Sequence, residues 1–228
     1  MAIIAILLTL LMPSLARMRD SAKFLGCVNN LRQIIGASIL HAAENEGGWP
    51  GPNWGHGNQI GWLYDMGRMD NPEDLKGGQL WTYLGDVRVY RCPSDPQPDV
   101  DDPAAVINRP RNVRMITSYM MNGSVANYGG KPFDTARRQY QTHRIGDFKA
   151  DDVIYWEAWE GATSAGWWHD GSNFPHEGLT WRHFDRASAA CADGRVERFR
   201  TDDWYELANT APRPNRLWNS PYTESGRR

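Results

Sequence analysis

MAIIAILLTLLMPSLARMRDSAKFLGCVNNLRQIIGASILHAAENE, residues 1–46, is the stretch on which the fold turns. Met1 to Leu15 carries no charge, and nearly every position from Ala2 to Met12 is apolar. A helix lying on a protein surface would show a polar face; one surrounded by lipid would not. The run is shorter than the ~20 residues a membrane span needs. It also lacks the basic start and small-residue cleavage site of a secretory signal. Beyond Pro13 the pattern changes without a turn signal. Phe24, Val28, Leu31, Ile35 and Ile39 recur at spacings of four, three, four and four, one face of a helix. Arg17, Arg19, Asp20, Lys23, Asn29, Arg32 and Gln33 form the polar remainder. Gly47-Gly48, with Pro50 beyond, is a stop signal. The spacing predicts one helix over 1–46, roughly 65–70 Å long. Pro13 is expected to kink it, since proline removes an amide donor and clashes with the preceding turn. Residues 1–15 would sit in lipid, and the rest would present its stripe to a globular domain.

The whole chain has 228 residues and a net charge of −2, enough for one ordinary domain and an added element. Such a balance offers no basic stripe for nucleic acid. Of 25 cationic residues only Lys23, Lys76, Lys131 and Lys149 are lysines. Eleven tryptophans stand out. Two readings stay open for them: a core short of aliphatic residues filled by large rings, or an exposed aromatic platform for sugars or proteins. Cys27, Cys92 and Cys191 lie far apart in sequence and form no CxxC, which argues against zinc binding. In an exported domain one disulfide is possible. Cys27 with Cys92 is the favoured pair, two buried thiols being the other reading.

Residues 47–208 read as a globular domain. Residues 47–70 form a Gly-, Trp- and Asn-rich loop. Asn71-Pro72-Glu73-Asp74 signals a helix start, and Leu80 to Leu84 a helical turn closed by Gly85. Val87 to Tyr90 is expected as a short strand before a turn at Cys92-Pro93-Ser94-Asp95. Residues 96–112 read as a surface loop. Met115 to Met121 and Val153 to Trp159 are strand candidates. Ala187 to Ala192 and Arg195 to Arg200 would be arms of a hairpin, joined at Asp193-Gly194 by a two-residue turn with positive φ at both centres. Thr201-Asp202-Asp203 would cap a short helix through Leu207. Residues 209–228, rich in Pro, Arg, Asn and Ser, are expected to be disordered.

The helix sequence resembles the N-terminal helix of type IV prepilins and type II secretion pseudopilins. It is most similar to the bacterial subgroup with a prepilin-type cleavage/methylation segment and a C-terminal H-X9-DG element. Here His183 is followed by nine residues and Asp193-Gly194. The landmarks between are also similar: Asn29 to Gln33, Trp81 to Leu84, Arg91 to Asp95, Ser118-Tyr119 and Asn122. The resemblance implies an α+β pilin-like fold, with the long helix packed on a small, mainly antiparallel sheet with irregular loops. It implies an inner-membrane, single-pass subunit with its domain outside the cytoplasm, whose partners are other pilin-like subunits and, for a full-length precursor, prepilin peptidase. Met1 falls inside the family's apolar helix, and the charged leader, cleavage site and early Glu of the family are not in this sequence: either they lie upstream of Met1, through a misplaced start or a fragment, which is the favoured reading, or this member is not processed. Calcium bound through loop carboxylates in major pseudopilins brings in Asp185 and Asp193.

Other constellations carry less. Glu157 and Glu160 flank Trp159 as paired carboxylates would in a glycosidase, but in a strand they point to opposite faces. His169, Asp170, His176, His183 and Asp185 lie within 17 residues and could hold a metal, without HExxH or His-x-His spacing. His183, Asp185 and Asp193 are the metal candidates, with Ca2+ the ion considered; otherwise His183 orders the loop before the hairpin and Asp193-Gly194 is its turn. No phosphate loop, GxSxG or Cys–His nucleophile pattern is present. A non-enzymatic filament subunit is the expectation, and a membrane-tethered, Trp-rich binding module is its alternative.

Overall fold

The computed structural model describes residues 2–54, 59–65, 72–95, 116–158, 171–183 and 186–227; side chains in the first helix are described at Met12, at Leu15 and from Arg17 onward. Helix α1 runs over Ala2–Glu44 and is unbroken at Pro13. From Phe24 on, every third or fourth residue turns inward: Phe24, Cys27, Val28, Leu31, Ile34, Ile35, Ser38, His41 and Ala42 are all buried. Ile39, expected in this stripe, lies at its margin, with Ile34 and Ser38 taking the central places. The helix ends where Glu46 and Gly47 take positive φ and the Gly47 amide donates to Ala42 O at 2.8 Å. The Asn45 side chain also donates to His41 O. Among the described residues no helix is long and apolar enough to cross a membrane.

The inward face of α1 covers a five-stranded sheet. Its strands are β1 (Tyr119–Asn122), β4 (Val153–Glu157), β5 (Ser172–Asn173), β6 (Arg186–Cys191) and β7 (Val196–Arg200), in the order β5-β1-β4-β6-β7. Only the β1–β5 pair is parallel. A separate two-stranded ribbon joins β2 (Phe133–Asp134) to β3 (Gln139–Tyr140). The fold is thus α/β-mixed, a long helix on a mixed sheet. Strands β1 and β4 are buried at every position, so neither face of the sheet's centre meets water. On the α1 side, Tyr155 OH and Ser38 Oγ are 2.9 Å apart. On the other side, Trp156 packs on Trp204, 5.2 Å between centroids. Trp204 lies on α3 (Thr201–Tyr205), which continues as a wider turn over Glu206–Thr210.

Three expectations are corrected. Val87–Tyr90 is a 3₁₀ turn, not a strand, because the Asp86 carboxylate accepts from the Arg88 amide at 2.9 Å and curls the chain. It follows α2 (Trp81–Leu84), which Gly85 closes at φ 60° as expected. The β6–β7 hairpin forms, but only Gly194 has positive φ (88°). Gly194 N donates to Cys191 O and Cys191 N to Arg195 O, so a three-residue loop with a left-handed glycine replaces the two-residue turn. Lastly, the tail expected to be disordered is core: Leu217 and Trp218 are fully buried. Its backbone pairs with the start of β4 through Val153 N to Arg216 O, 2.8 Å. Asn122 Nδ2 bridges Val153 O and Leu217 O, both at 2.9 Å.

Most tryptophans with described side chains are core. Trp49, Trp62, Trp156, Trp204 and Trp218 are buried, Trp54 and Trp81 half-buried, and Trp181 is exposed. Trp159, Trp167 and Trp168 lie outside the described residues, as do the loop 96–112 and Glu160.

Candidate functional site

Four elements distant in sequence converge beneath α1. Cys27 comes from the buried stripe of the helix. Cys92 comes from the turn after α2, Glu157 from the end of β4, and His183 from the loop leading into β6. One ligating atom from each lies within 4.8 Å of all the others, and all four residues are buried. The approach of the Cys92 turn depends on Gly26: a Cβ there would stand 3.0 Å from Pro93 Cγ. Asn30, one helical turn on, holds the same segment through Nδ2 to Arg91 O at 2.7 Å.

His183 Nε2 stands 3.4 Å from Cys92 Sγ and 3.0 Å from Glu157 Oε1. The other carboxylate oxygen, Oε2, accepts from Ser188 N at 2.7 Å. The Ser94 amide points at Cys92 Sγ from 3.3 Å, and the Cys92 amide donates to Ser118 Oγ. Ser118 in turn donates to Asp95 at 2.6 Å, and Asp95 is paired with Arg182 at 3.1 Å. Phe24 meets the His183 ring edge-on at 4.9 Å, and the Arg198 guanidinium lies 4.1 Å from the Phe24 centroid. An open cleft of about 330 Å³, lined by Asp20, Ser21, Phe24, Leu25, His183, Arg186 and Arg198, leads down to the imidazole.

The groups set one another's protonation. The hydrogen bond between the two cysteines is the largest influence on both. It pushes the Cys27 thiol far up, with burial adding to the rise. It draws Cys92 down to about 6, against burial and with help from His183. Burial opposes the charge on Glu157, but the hydrogen bond and charge of His183 hold that carboxyl below its ordinary value. Burial would likewise lower His183; its bonds to Cys92 and Glu157 outweigh this and push it up to about 9. These directions favour charge on the His183 imidazole beside Glu157 and Cys92, and buried charges persist only when paired.

Of the residues singled out in the sequence, His183 belongs to this cluster. Cys27 and Cys92 are brought together as expected, but both are free thiols rather than a disulfide. Asp193 is not part of it. It sits in the loop at the far end of β6, where it accepts from Arg195 N and pairs with the Arg195 guanidinium. Six residues of extended strand, about 20 Å, separate that end from the His183 end. Asp185 lies outside the described residues, as do His169 and Asp170. His183 and Asp193 therefore do not meet at one site. The nine-residue spacing has a plain meaning: His183 and Asp193-Gly194 bracket β6, one at each end. Glu157 was read only as half of a carboxylate pair. Its signal was a charged residue inside an otherwise apolar strand, which requires a buried partner.

Family models, curated proteins and solved structures were each compared with the chain, and none matches it.

Proposed function

We propose that the chain is a structural subunit of a type II secretion or type IV pilus-like filament, assembling through α1. The observation that carries this reading is the division of α1 into two parts. From Phe24 to Ala42 its stripe is sealed into the domain. Toward the N-terminus the helix continues, and Met12, Leu15 and Met18 are exposed apolar side chains. An apolar helical surface left without a partner favours packing against further helices or lipid. The sequence of residues 2–11 is apolar at nearly every position. In this reading the inner membrane holds α1 and the domain lies on the outer side of it, setting partner choice. No catalytic role is assigned to any residue.

The alternative, a tethered aromatic binding module, draws less support. Five of the eight tryptophans with described side chains are fully enclosed, and only Trp181 is well exposed. The test is to express the protein from its full genomic locus with a photocross-linking residue in place of Met18. Cross-links to other pilin-like helices in the membrane fraction, and an N-methylated terminus dependent on prepilin peptidase, are expected. An unprocessed protein whose residue 18 cross-links only to lipid would refute assembly and leave the tethered module.

A further inference from the structure

We propose that Cys27, Cys92, His183 and Glu157 form a zinc site that pins α1 to the domain. The donor set is the first argument. Two thiols, an imidazole and a carboxylate are a soft-to-borderline set that suits Zn2+ and does not suit Ca2+ or Mg2+, which take oxygen ligands. The spacing is the second. Ligands about 2.0–2.3 Å from a tetrahedral zinc stand about 3.3–3.8 Å from one another. The observed separations, 3.4 Å from Cys92 Sγ to His183 Nε2 and 3.0 Å from His183 Nε2 to Glu157 Oε1, already approximate two edges of that tetrahedron. The remaining separations fall within 4.8 Å, so movements of about an ångström or less would complete it.

The third argument is direction. A single nitrogen, His183 Nε2, faces both a sulfur and a carboxylate oxygen. One N–H cannot be aimed well at two acceptors, whereas one cation satisfies both. The outer contacts are also those of a metal site. Ser188 N occupies Glu157 Oε2 and leaves Oε1 for the ion, and Ser94 N supports the Cys92 sulfur. Such outer partners orient ligands and tune a metal's affinity. Binding would release the protons held among the two thiols and the imidazole to solvent. Because α1, the Cys92 turn, β4 and the loop before β6 each supply one ligand, the ion would act as a structural clamp, with its four positions filled by protein. This holds whether or not α1 assembles into a filament.

The test uses the full chain, purified under reducing conditions, stripped with a chelator and titrated with Zn2+ or Co2+ alone. One equivalent of zinc per chain is expected, and the cobalt form should show a thiolate-to-cobalt charge-transfer band and the intense visible bands of a tetrahedral site. Cys27→Ser and Cys92→Ser should each lose that band and weaken zinc binding by well over the roughly 10–100-fold that loss of an outer partner costs. Cys191→Ala, outside the cluster, should keep both stoichiometry and spectrum. If a serine variant fails to fold by near-UV circular dichroism, the wild-type cobalt spectrum and the Cys191→Ala comparison still decide. The proposal is overturned by folded wild-type protein that binds no stoichiometric zinc, by bound cobalt without a thiolate band, or by a metal-free Cys27–Cys92 disulfide in protein recovered from its native compartment.

Discussion

Replacing Trp218 with alanine should remove about 4 kcal/mol of stability, although the residue lies only ten positions from the C-terminus of the sequence given. Its side chain is fully enclosed. The indole stacks on His176 at 5.6 Å and 14°, touches Tyr128 at 5.7 Å, and is covered by the Arg213 guanidinium at 3.8 Å. Its N–H donates to Ala208 O at 2.8 Å. Burying an aromatic side chain removes about 150–250 Å² from water, worth about 4–6 kcal/mol at ~25 cal/mol/Å². Large-to-small changes at such sites cost about 3–5 kcal/mol. Ala208 O also accepts from Arg213 Nη2 at 2.7 Å, so it keeps a partner when the indole is lost. A domain has about 5–15 kcal/mol in all, so the loss is a large fraction. Trp218→Phe keeps most of the ring contact and loses the hydrogen bond, so about 1–2 kcal/mol is expected. Urea unfolding followed by far-UV circular dichroism measures both, with an unchanged slope as the sign that only stability has moved. A Trp218→Ala variant within about 0.5 kcal/mol of the parent, the range of ordinary surface substitutions, would refute the placement of the tail in the core.

Along α1, Ile35→Ala should cost about 2–5 kcal/mol, while Leu40→Ala, 56% exposed on the outer face, should change stability by less than about 0.5 kcal/mol; equal urea midpoints for the two would contradict the assigned buried stripe. Asn122→Asp turns two donated bonds, to Val153 O and Leu217 O, into contacts between oxygens, and a loss of at least about 3 kcal/mol at pH 7 is expected; thermal unfolding near that of the parent would show that these bonds are not made. Burial, with the Lys131 charge adding to it, pushes His143 down to about 4. The unfolded chain therefore binds the extra proton first, and stability should fall by up to about 3 kcal/mol as pH drops from roughly 6.5 to 4. Asp152, pushed up to about 6 by burial, acts in the opposite sense over part of this range. The measurement is thus the difference between parent and His143→Gln across pH, and a flat difference would count against the assignment.

Periodicity was a sufficient guide where one face of an element meets the core. It located α1, because a residue every three or four positions must turn inward over the whole seam. β4 was located instead by its run of apolar residues, and the β6–β7 hairpin by the Asp193-Gly194 turn signal. Pattern failed where a local side chain outvoted propensity. Val87 to Tyr90 has the composition of a strand, yet a single Asp86 carboxylate on the Arg88 amide makes it a turn. The tail failed for another reason: its polar, proline-rich composition hid two apolar residues whose burial depends on backbone pairing with β4, a long-range contact that no local pattern carries. The site was half legible. Cys27 and Cys92 could be paired as a cysteine of the long helix and one of the turn after Val87–Tyr90, and His183 singled out by its spacing from Asp193-Gly194. Glu157 could not be joined to them, since its position under α1 follows from the order of strands in the sheet. Gly26 gave no signal at all; its role is the room it leaves for Pro93.

The seam between α1 and the sheet has a mechanical consequence. From Phe24 to Ala42 it runs along the helix axis for about 27 Å, at 1.5 Å per residue. A pull on the projecting end along that axis loads the whole line of contacts in shear, all at once, whereas a sideways pull would peel them one turn at a time from Phe24. The same joint is therefore stiff in one direction and weak in the other. A pull along the helix axis would leave the domain intact, and a bend away from that axis would open the joint first at Phe24, beside the cluster of Cys27 and His183.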